Sequence, residues 1–389
     1  MGLFGIWKEI VLDDIKQLIF FSEMKNPHAG ATSSQIMTRN LLYGFRQVAQ
    51  KLVFVPILTN MQDHDEVERY YEELCDTMIF FRSVTKHHGT RLKSHTSMLK
   101  ETFLRPGISI DALEPYLTDS TVLVSHSPSI DSALLCIAIK RKHPEIRYIQ
   151  FWSDPMVLSL ITPEQYTIKR LGFFLIGRQL HKYADRIVYG TRSLCDAELI
   201  IFPEIRSKTF SVEASYCFDN EDIKSESDNT VFGYFGNYYS NIRNIRPLYD
   251  AFDGNSDAEI VICGSGDIVL EEKDNTRIMA RVPQSEVAEL EAKVDVVVCI
   301  LNRVGVQIPG KVFYQTNTQK HILVILDGPN QDRIREELEK SGRFIFCEND
   351  VENIRKSISD ITAGKYDAHY SAECYAPERV CREILGDLT

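Results

Sequence analysis

Short apolar runs and amphipathic stretches take turns along almost the whole chain, and that alternation restricts the fold more than any single motif. In the first half it predicts strands at 16–21, 52–58, 78–83, 121–125, 148–151 and 184–190. Helices are expected between them at 34–50, 65–75, 130–142 and 163–183. The second half repeats the logic. Strands are expected at 231–235, 260–264, 276–280, 294–301, 321–326 and 344–347, with helices at 284–293, 311–317, 330–340 and 351–361. Repeated β–α alternation argues for mostly parallel sheets with helices on both faces.

At 389 residues the chain exceeds one ordinary domain, so two are expected. Residues 218–230, FDNEDIKSESDNT, are polar and acidic and read as the linker. The division is therefore a first Rossmann-like domain over 1–217, a linker, a second over 231–365, and a tail over 366–389 that packs back on the first. Two doubly wound α/β domains on one linker enclose a cleft, and ligands of such sheets bind beyond the carboxyl ends of the strands.

Composition narrows the function classes. A net charge of −11 argues against general nucleic-acid binding. Nine scattered cysteines, with no CxxC pair, suit thiols in a reducing cytoplasm better than a disulfide framework or a zinc site. No apolar run is long enough to span a bilayer, and MGLFGIWKEIVLDD lacks the basic region and cleavage site of a secretory signal. Leu3, Trp7, Ile10 and Val11 share a helical face that either packs on the domain or touches a membrane surface. Two basic clusters stand out: 86–100, read as a solvated loop or a contact for an anionic lipid, and Lys140–His143, explained by a helix C-terminus. The expected location is cytoplasmic, with peripheral contact at the inner face of the membrane left open.

The richest stretch for chemistry is 231–252, VFGYFGNYYSNIRNIRPLYDAF. It reads as an apolar strand, a turn at Gly233 and Gly236, and a helix carrying Ile245, Leu248 and Phe252 on its apolar face. Free backbone N–H groups at such a turn suit a phosphate, and Arg243, with Arg246 beside it, adds a side-chain fork. The alternative is a plain strand-to-helix connection.

The second half resembles the donor-binding domain of GT-B glycosyltransferases, particularly the bacterial retaining families that build surface polysaccharides. Residues 233–252 resemble their "G…G…K/R-G/N…L…AF" stretch, with Asn237 at the usual Arg position, Arg243 at the usual Lys position and Asn244 next to it. Residues 262–267 resemble their "xxGxGP" turn, with Gly264 as its first glycine. Arg281-Val282-Pro283 and the following 294–298 are similar to their "V-P-x-x-E…aDV-x-V" segment, where the base meets backbone groups. The run from Ile308 through Lys311 to Val324 resembles "P-S-K-L-x-E-Y-L-A-x-G-K-P-V-L". In the first half, residues 26–33 resemble the glycine loop after the first strand, 125–128 the place of a His facing the donor sugar, and 184–190 the "aDrivxxS" strand.

What the resemblance implies is a metal-independent hexosyltransferase that needs no cofactor. It would move a sugar from a nucleotide-activated donor, a UDP-sugar being favoured, to a saccharide or lipid-linked acceptor in surface polysaccharide or glycolipid assembly. Carried over residue by residue, the donor-binding set is Gly236, Asn237, Arg243, Asn244, Gly264, Arg281, Val282, Lys311 and Tyr314. Arg243 and Lys311 would neutralise the leaving diphosphate. His126 would face the donor sugar, and Asp154 would orient the acceptor or act as its base, unless it only caps the next helix. Gly30, Ala31 and Thr32 would let backbone approach the ligand on the acceptor side, or form an ordinary turn. One departure matters: where retaining members carry two glutamates, Val306 and Tyr314 stand. The ribose then either finds other groups or is held weakly. Two other readings remain open, a catalytically silent GT-B scaffold and a UDP-sugar 2-epimerase-like enzyme.

Overall fold

The computed structural model describes residues 15–24, 32–59, 64–83, 108–126, 130–155, 167–221, 223, 225, 227–367 and 372–386. Expectations for the amphipathic stretch 3–11, for Gly30 and Ala31, and for the basic cluster 86–100 lie outside the described residues.

Every strand pairing in two separate sheets is parallel. The first sheet is built from β1 (Gln17–Met24), β2 (Leu52–Leu58), β3 (Thr77–Met78), β4 (Phe81–Arg82), β5 (Thr121–His126), β6 (Arg147–Trp152), β7 (Arg186–Tyr189) and β8 (Thr209–Ser211). Its order is β3-β2-β1-β5-β6-β7-β8, with β4 also on β2. The second sheet holds β9 (Thr230–Phe235), β10 (Ala258–Cys263), β11 (Thr276–Met279), β12 (Val296–Ile300), β13 (His321–Leu326) and β14 (Ile345–Glu348), ordered β11-β10-β9-β12-β13-β14. Helices α1 (Ser33–Val48), α2 (His64–Tyr71), α3 (Ile130–Lys142), α4 (Thr167–His181) and α5 (Arg192–Ile201) belong with the first sheet. The second has α6 (Arg246–Ala251), α7 (Gln284–Ala292), α8 (Lys311–Tyr314), α9 (Gln331–Glu339) and α10 (Val351–Thr362).

The strand runs read as they do because a parallel sheet with both faces covered takes continuous apolar sequence. LVFVPIL of β2 is buried along its entire length. The expected strand over 78–83 is split into β3 and β4, and the gap falls opposite Pro56, which has no N–H to give to a neighbour. Strand β8 and helix α5 were not anticipated, and α8 ends at Tyr314 instead of continuing to 317.

The stretch 231–252 needs two corrections. Gly233 sits inside β9, where a Cβ would lie 2.4 Å from the Phe235 ring and 2.9 Å from Val294, so it marks close packing and not a turn. The helix also starts only at Arg246, after an irregular loop closed by the Tyr239–Arg243 bridge. Arg246 turns away and donates to the Val269 carbonyl at 2.9 Å.

One apolar core runs across both domains, taking in Phe20 and Leu41 of the first and Val297, Phe313 and Leu338 of the second. A last helix, α11 (Pro377–Leu385), lies against α1. Gly44 permits this approach, since a Cβ there would meet the Pro377 carbonyl at 2.3 Å. Arg147 and Arg186, from β6 and β7, donate to the carbonyls of Leu385 (2.8 Å) and Glu383 (3.1 Å) at the end of α11. The Lys140–His143 cluster is spent on structure: Lys140 bonds Asp185 and the Ile146 carbonyl, and Lys142 and His143 share Glu114. None of the nine cysteines is in a disulfide, and among the described residues no helix is long and apolar enough to cross a membrane.

Candidate active site in the interdomain cleft

The residues just past the strand ends β6, β7, β9, β10 and β12 converge on a cleft between the sheets. Two adjoining cavities occupy it, one of about 200 Å³ and one of about 330 Å³. Ser33, Arg243 and Lys311 line both, so one hydroxyl and two cations mark the junction.

The wall from the second sheet is built by glycines and cations. The Gly236 N–H donates to the Cys263 carbonyl at 2.9 Å. A Cβ on Gly264 would fall 2.0 Å from the Gly236 carbonyl oxygen, so only glycine lets the two strand ends meet so closely. Arg243 donates through Nη2 to Asn302 Oδ1 (2.8 Å) and through Nη1 to the Asn237 carbonyl (3.3 Å), while its buried Nε has no partner among the described residues. Lys311 donates to the Phe235 carbonyl. Burial lowers the Lys311 pKa, and nearby Glu291 opposes that shift. Arg281 and Val282 complete the larger cavity.

Hydroxyls dominate the facing wall. Thr32 caps α1 in a reciprocal box with Gln35, which leaves Ser33 and Ser34 at the helix entrance on the cleft. Ser153, Asp154, Gly190 and Thr191, from the ends of β6 and β7, line the smaller cavity. Asp154 accepts from Gln307 of the opposite domain. It is the carboxylate lining this cavity among the described residues.

Of the expected residues, Thr32, Gly236, Asn237, Arg243, Gly264, Arg281, Val282 and Lys311 come together around the larger cavity, and Asp154 lies across the junction in the smaller one. Three expectations are corrected. His126 does not face the cleft. It is fully buried, with Nδ1 3.2 Å from both Ser22 and Thr38, and Nε2 3.3 Å from Ser153. Burial drops its pKa to about 3 and keeps the ring neutral. Tyr314 lines neither cavity, because its hydroxyl is held by Ser33, 2.7 Å from the Oγ and 2.9 Å from the carbonyl it donates to. Asn244 also lies elsewhere, its side chain accepting from the Arg246 N–H at 3.1 Å and its carbonyl from Asn349. The helix-dipole argument weakens too, since α6 starts well away from Gly236 and α8 is a single turn. Anion attraction here rests on side chains.

Asn302, Gln307, Ser33, Ser153 and Thr191 were not singled out from sequence. Asn302 and Ser153 had a readable signal: each is the first polar residue after the apolar end of a strand.

No family model matches the sequence, and no curated protein matches it. Solved structures do match in fold. Sucrose-phosphate synthase from Thermosynechococcus elongatus aligns with a TM-score of 0.59 at 12% identity, covering 96% of this chain and 94% of that one. Anabaena HepE in complex with UDP and glucose aligns at 0.54 with 10% identity and 95% coverage of both chains. UDP-GlcNAc 2-epimerase from Neisseria meningitidis, bound to UDP-GlcNAc, aligns at 0.53 with 12% identity, over 96% of this chain and 99% of that one. The two parallel-sheet domains are those of the GT-B fold.

Proposed function

We propose that this chain is an enzyme acting on a nucleotide-sugar, a UDP-sugar first among them, and that its reaction is glycosyl transfer. The observation that carries the reading is the junction of the two cavities, where Arg243 and Lys311 line both the larger and the smaller chamber. A diphosphate at that junction would place the nucleoside in the larger chamber beside Gly264 and Val282, and the sugar in the smaller one beside Asp154. The solved GT-B structures with UDP, UDP-GlcNAc or glucose bound support this class of ligand.

In the transfer, the bond from the anomeric carbon to the diphosphate oxygen breaks and the acceptor oxygen bonds that carbon. The acceptor proton passes to Asp154, and the developing diphosphate charge is met by Arg243 and Lys311. The acceptor is a saccharide or a lipid-linked saccharide, and the site of action is the cytoplasm or the inner membrane face. Epimerisation at a sugar carbon removes a proton from one face and returns one to the other, which calls for two acid–base groups. With Asp154 as the carboxylate lining the sugar-side cavity among the described residues, transfer is the simpler fit.

The test is calorimetry with UDP, GDP, ADP and CDP, followed by a donor screen with mass detection of products. UDP binding and a product heavier by one sugar residue support the reading. A C2-epimerised UDP-sugar would replace transfer with epimerisation, and no response to any nucleotide would favour the silent scaffold.

A further inference from the structure

The first three residues of helix α5, Arg192 to Leu194, have amide N–H groups without an i→i−4 partner, and their destinations can be counted. Leu194 donates to the Thr191 side chain at 3.1 Å, and the regular helical bonds begin with Cys195 donating to the Thr191 carbonyl at 3.0 Å. The other two go to the opposite domain. Arg192 N donates to Glu337 Oε1 at 2.6 Å and Ser193 N to Glu337 Oε2 at 3.0 Å, and the Ser193 hydroxyl adds a third bond to Oε2 at 2.6 Å. Glu337 belongs to α9 of the second domain and is 5% exposed. One turn earlier on α9, Arg333 pairs with Asp196 of α5.

The geometry points to Glu337 as the latch that holds the cleft closed. A carboxylate seated on the positive end of a helix, with three hydrogen bonds and little water, is a strong short-range tie. It lies one residue from the cavity, since Thr191 both caps α5 and lines the sugar-side chamber next to Gly190. When the domains part, Arg192, Ser193 and Glu337 lose one another together, and that chamber loses its opposing wall. The tie therefore sets how much of the protein is closed and competent to bind, and apparent affinity falls with that fraction. This last step rests on the nucleotide-sugar reading of the cleft, whereas the latch itself does not.

The experiment compares wild type with Glu337→Ala, Glu337→Gln and Ser193→Ala. Small-angle scattering and amide exchange are recorded without ligand, and calorimetry with UDP as the probe. Glu337→Ala should raise the radius of gyration, speed exchange at Arg192 and Ser193 about tenfold or more, and weaken UDP about tenfold. Glu337→Gln, which keeps one acceptor oxygen, should fall between, and Ser193→Ala should lie nearest wild type. Circular dichroism identifies a variant that unfolds, in which case Glu337→Gln decides. Unchanged scattering and exchange in both Glu337 variants overturn the latch. Expansion with undiminished UDP affinity overturns its control of the cleft. Expansion in a protein whose wild type ignores UDP leaves the latch standing and removes the nucleotide reading alone.

Discussion

The two walls of the cleft are chemically unlike. The wall from the second sheet brings cations held by neutral oxygens: Arg243 on Asn302 and the Asn237 carbonyl, and Lys311 on the Phe235 carbonyl. The wall from the first sheet brings hydroxyls and one carboxylate: Ser33, Ser34, Ser153, Thr191 and Asp154. A cation bonded to neutral oxygens retains attraction for an added anion, and Glu291 near Lys311 offsets part of it there. Hydroxyls and a carboxylate instead suit neutral polyhydroxyl groups and the handling of a proton. The difference teaches a division of labour, in which one wall holds and the other reacts.

The sharpest way to break that division is at Asp154. Asp154→Asn should lower turnover of a UDP-sugar about 10²- to 10⁴-fold, the usual worth of a positioned base. UDP affinity should stay within about threefold, because the carboxylate makes no diphosphate contact in this scheme. Steady-state rates with parallel calorimetry check both halves. If Asp154→Asn instead abolished UDP binding and spared turnover, the walls would have been assigned the wrong way round.

The holding wall comes next. Arg243→Ala or Lys311→Ala should each remove a charge-assisted contact of about 1.5–3 kcal/mol and weaken UDP about ten- to a hundredfold. Ser33→Ala, at the same junction but on the reacting wall, should stay within a few-fold. Equal losses in all three would dissolve the contrast.

Acid should distinguish the walls by stability. His126 and His181 both lie in the first domain, both are buried, and burial lowers both to about 3 from the ordinary 6.5. Unfolding frees them to take up protons, so the unfolded state binds more protons between pH 6.5 and 3. Stability is therefore full above about 6.5 and is lost as pH falls through that window. Each histidine should cost roughly 2 kcal/mol by pH 5. Melting curves at pH 7 and 5 should show a decrease that shrinks by about half in His181→Gln, since the His181 Nε2 has no partner to lose among the described residues. A melting temperature unaffected by pH in this range would show that neither ring is held neutral.

Much of the fold was legible because parallel strands buried on both faces are uninterrupted apolar runs. Helix α3 and strands β2 and β13 have the boundaries that the pattern predicted. Gly233 misled because a glycine that makes room for a neighbouring ring looks, in sequence, like a glycine that turns the chain. Helix α5 was overlooked because its start is completed by Glu337, far away in sequence, with only Thr191 as a local cap. The site was legible on the holding wall, where glycines stand just past strands β9 and β10 and both cations fall in recognisable motifs. It was less legible on the other: His126 stands at a strand end as expected, but Ser153 intervenes between its ring and the cleft. Which side of a strand end faces a ligand depends on the second domain, and local sequence does not carry that.

The smallest expected effect concerns ribose recognition, where holding and reacting walls touch. Tyr314 occupies a place where an acid was expected, and its hydroxyl is already engaged twice by Ser33 across the interface. It has no second oxygen to accept both hydroxyls of a ribose. Neutral hydrogen bonds are worth about 0.5–1.5 kcal/mol each, so UDP should bind only about two- to tenfold more tightly than 2′-deoxy-UDP. Thermal shift and calorimetry with the two ligands measure the ratio. A ratio near a hundred would require a charged acceptor at the ribose, and Glu291 is the residue to examine. It is half-buried, hydrogen-bonded to Gln315 at 3.0 Å, and close enough to Lys311 and Tyr314 to affect the proton affinity of both. Burial raises its own pKa, and Lys311 and Gln315 oppose that rise. Glu291→Gln would then collapse the ratio while leaving 2′-deoxy-UDP affinity unchanged, moving ribose selection from the one-turn helix α8 to the end of α7. If the ratio survived that substitution, the selecting group would lie on the hydroxyl-rich wall, and the division between the two walls would have to be redrawn at Ser33.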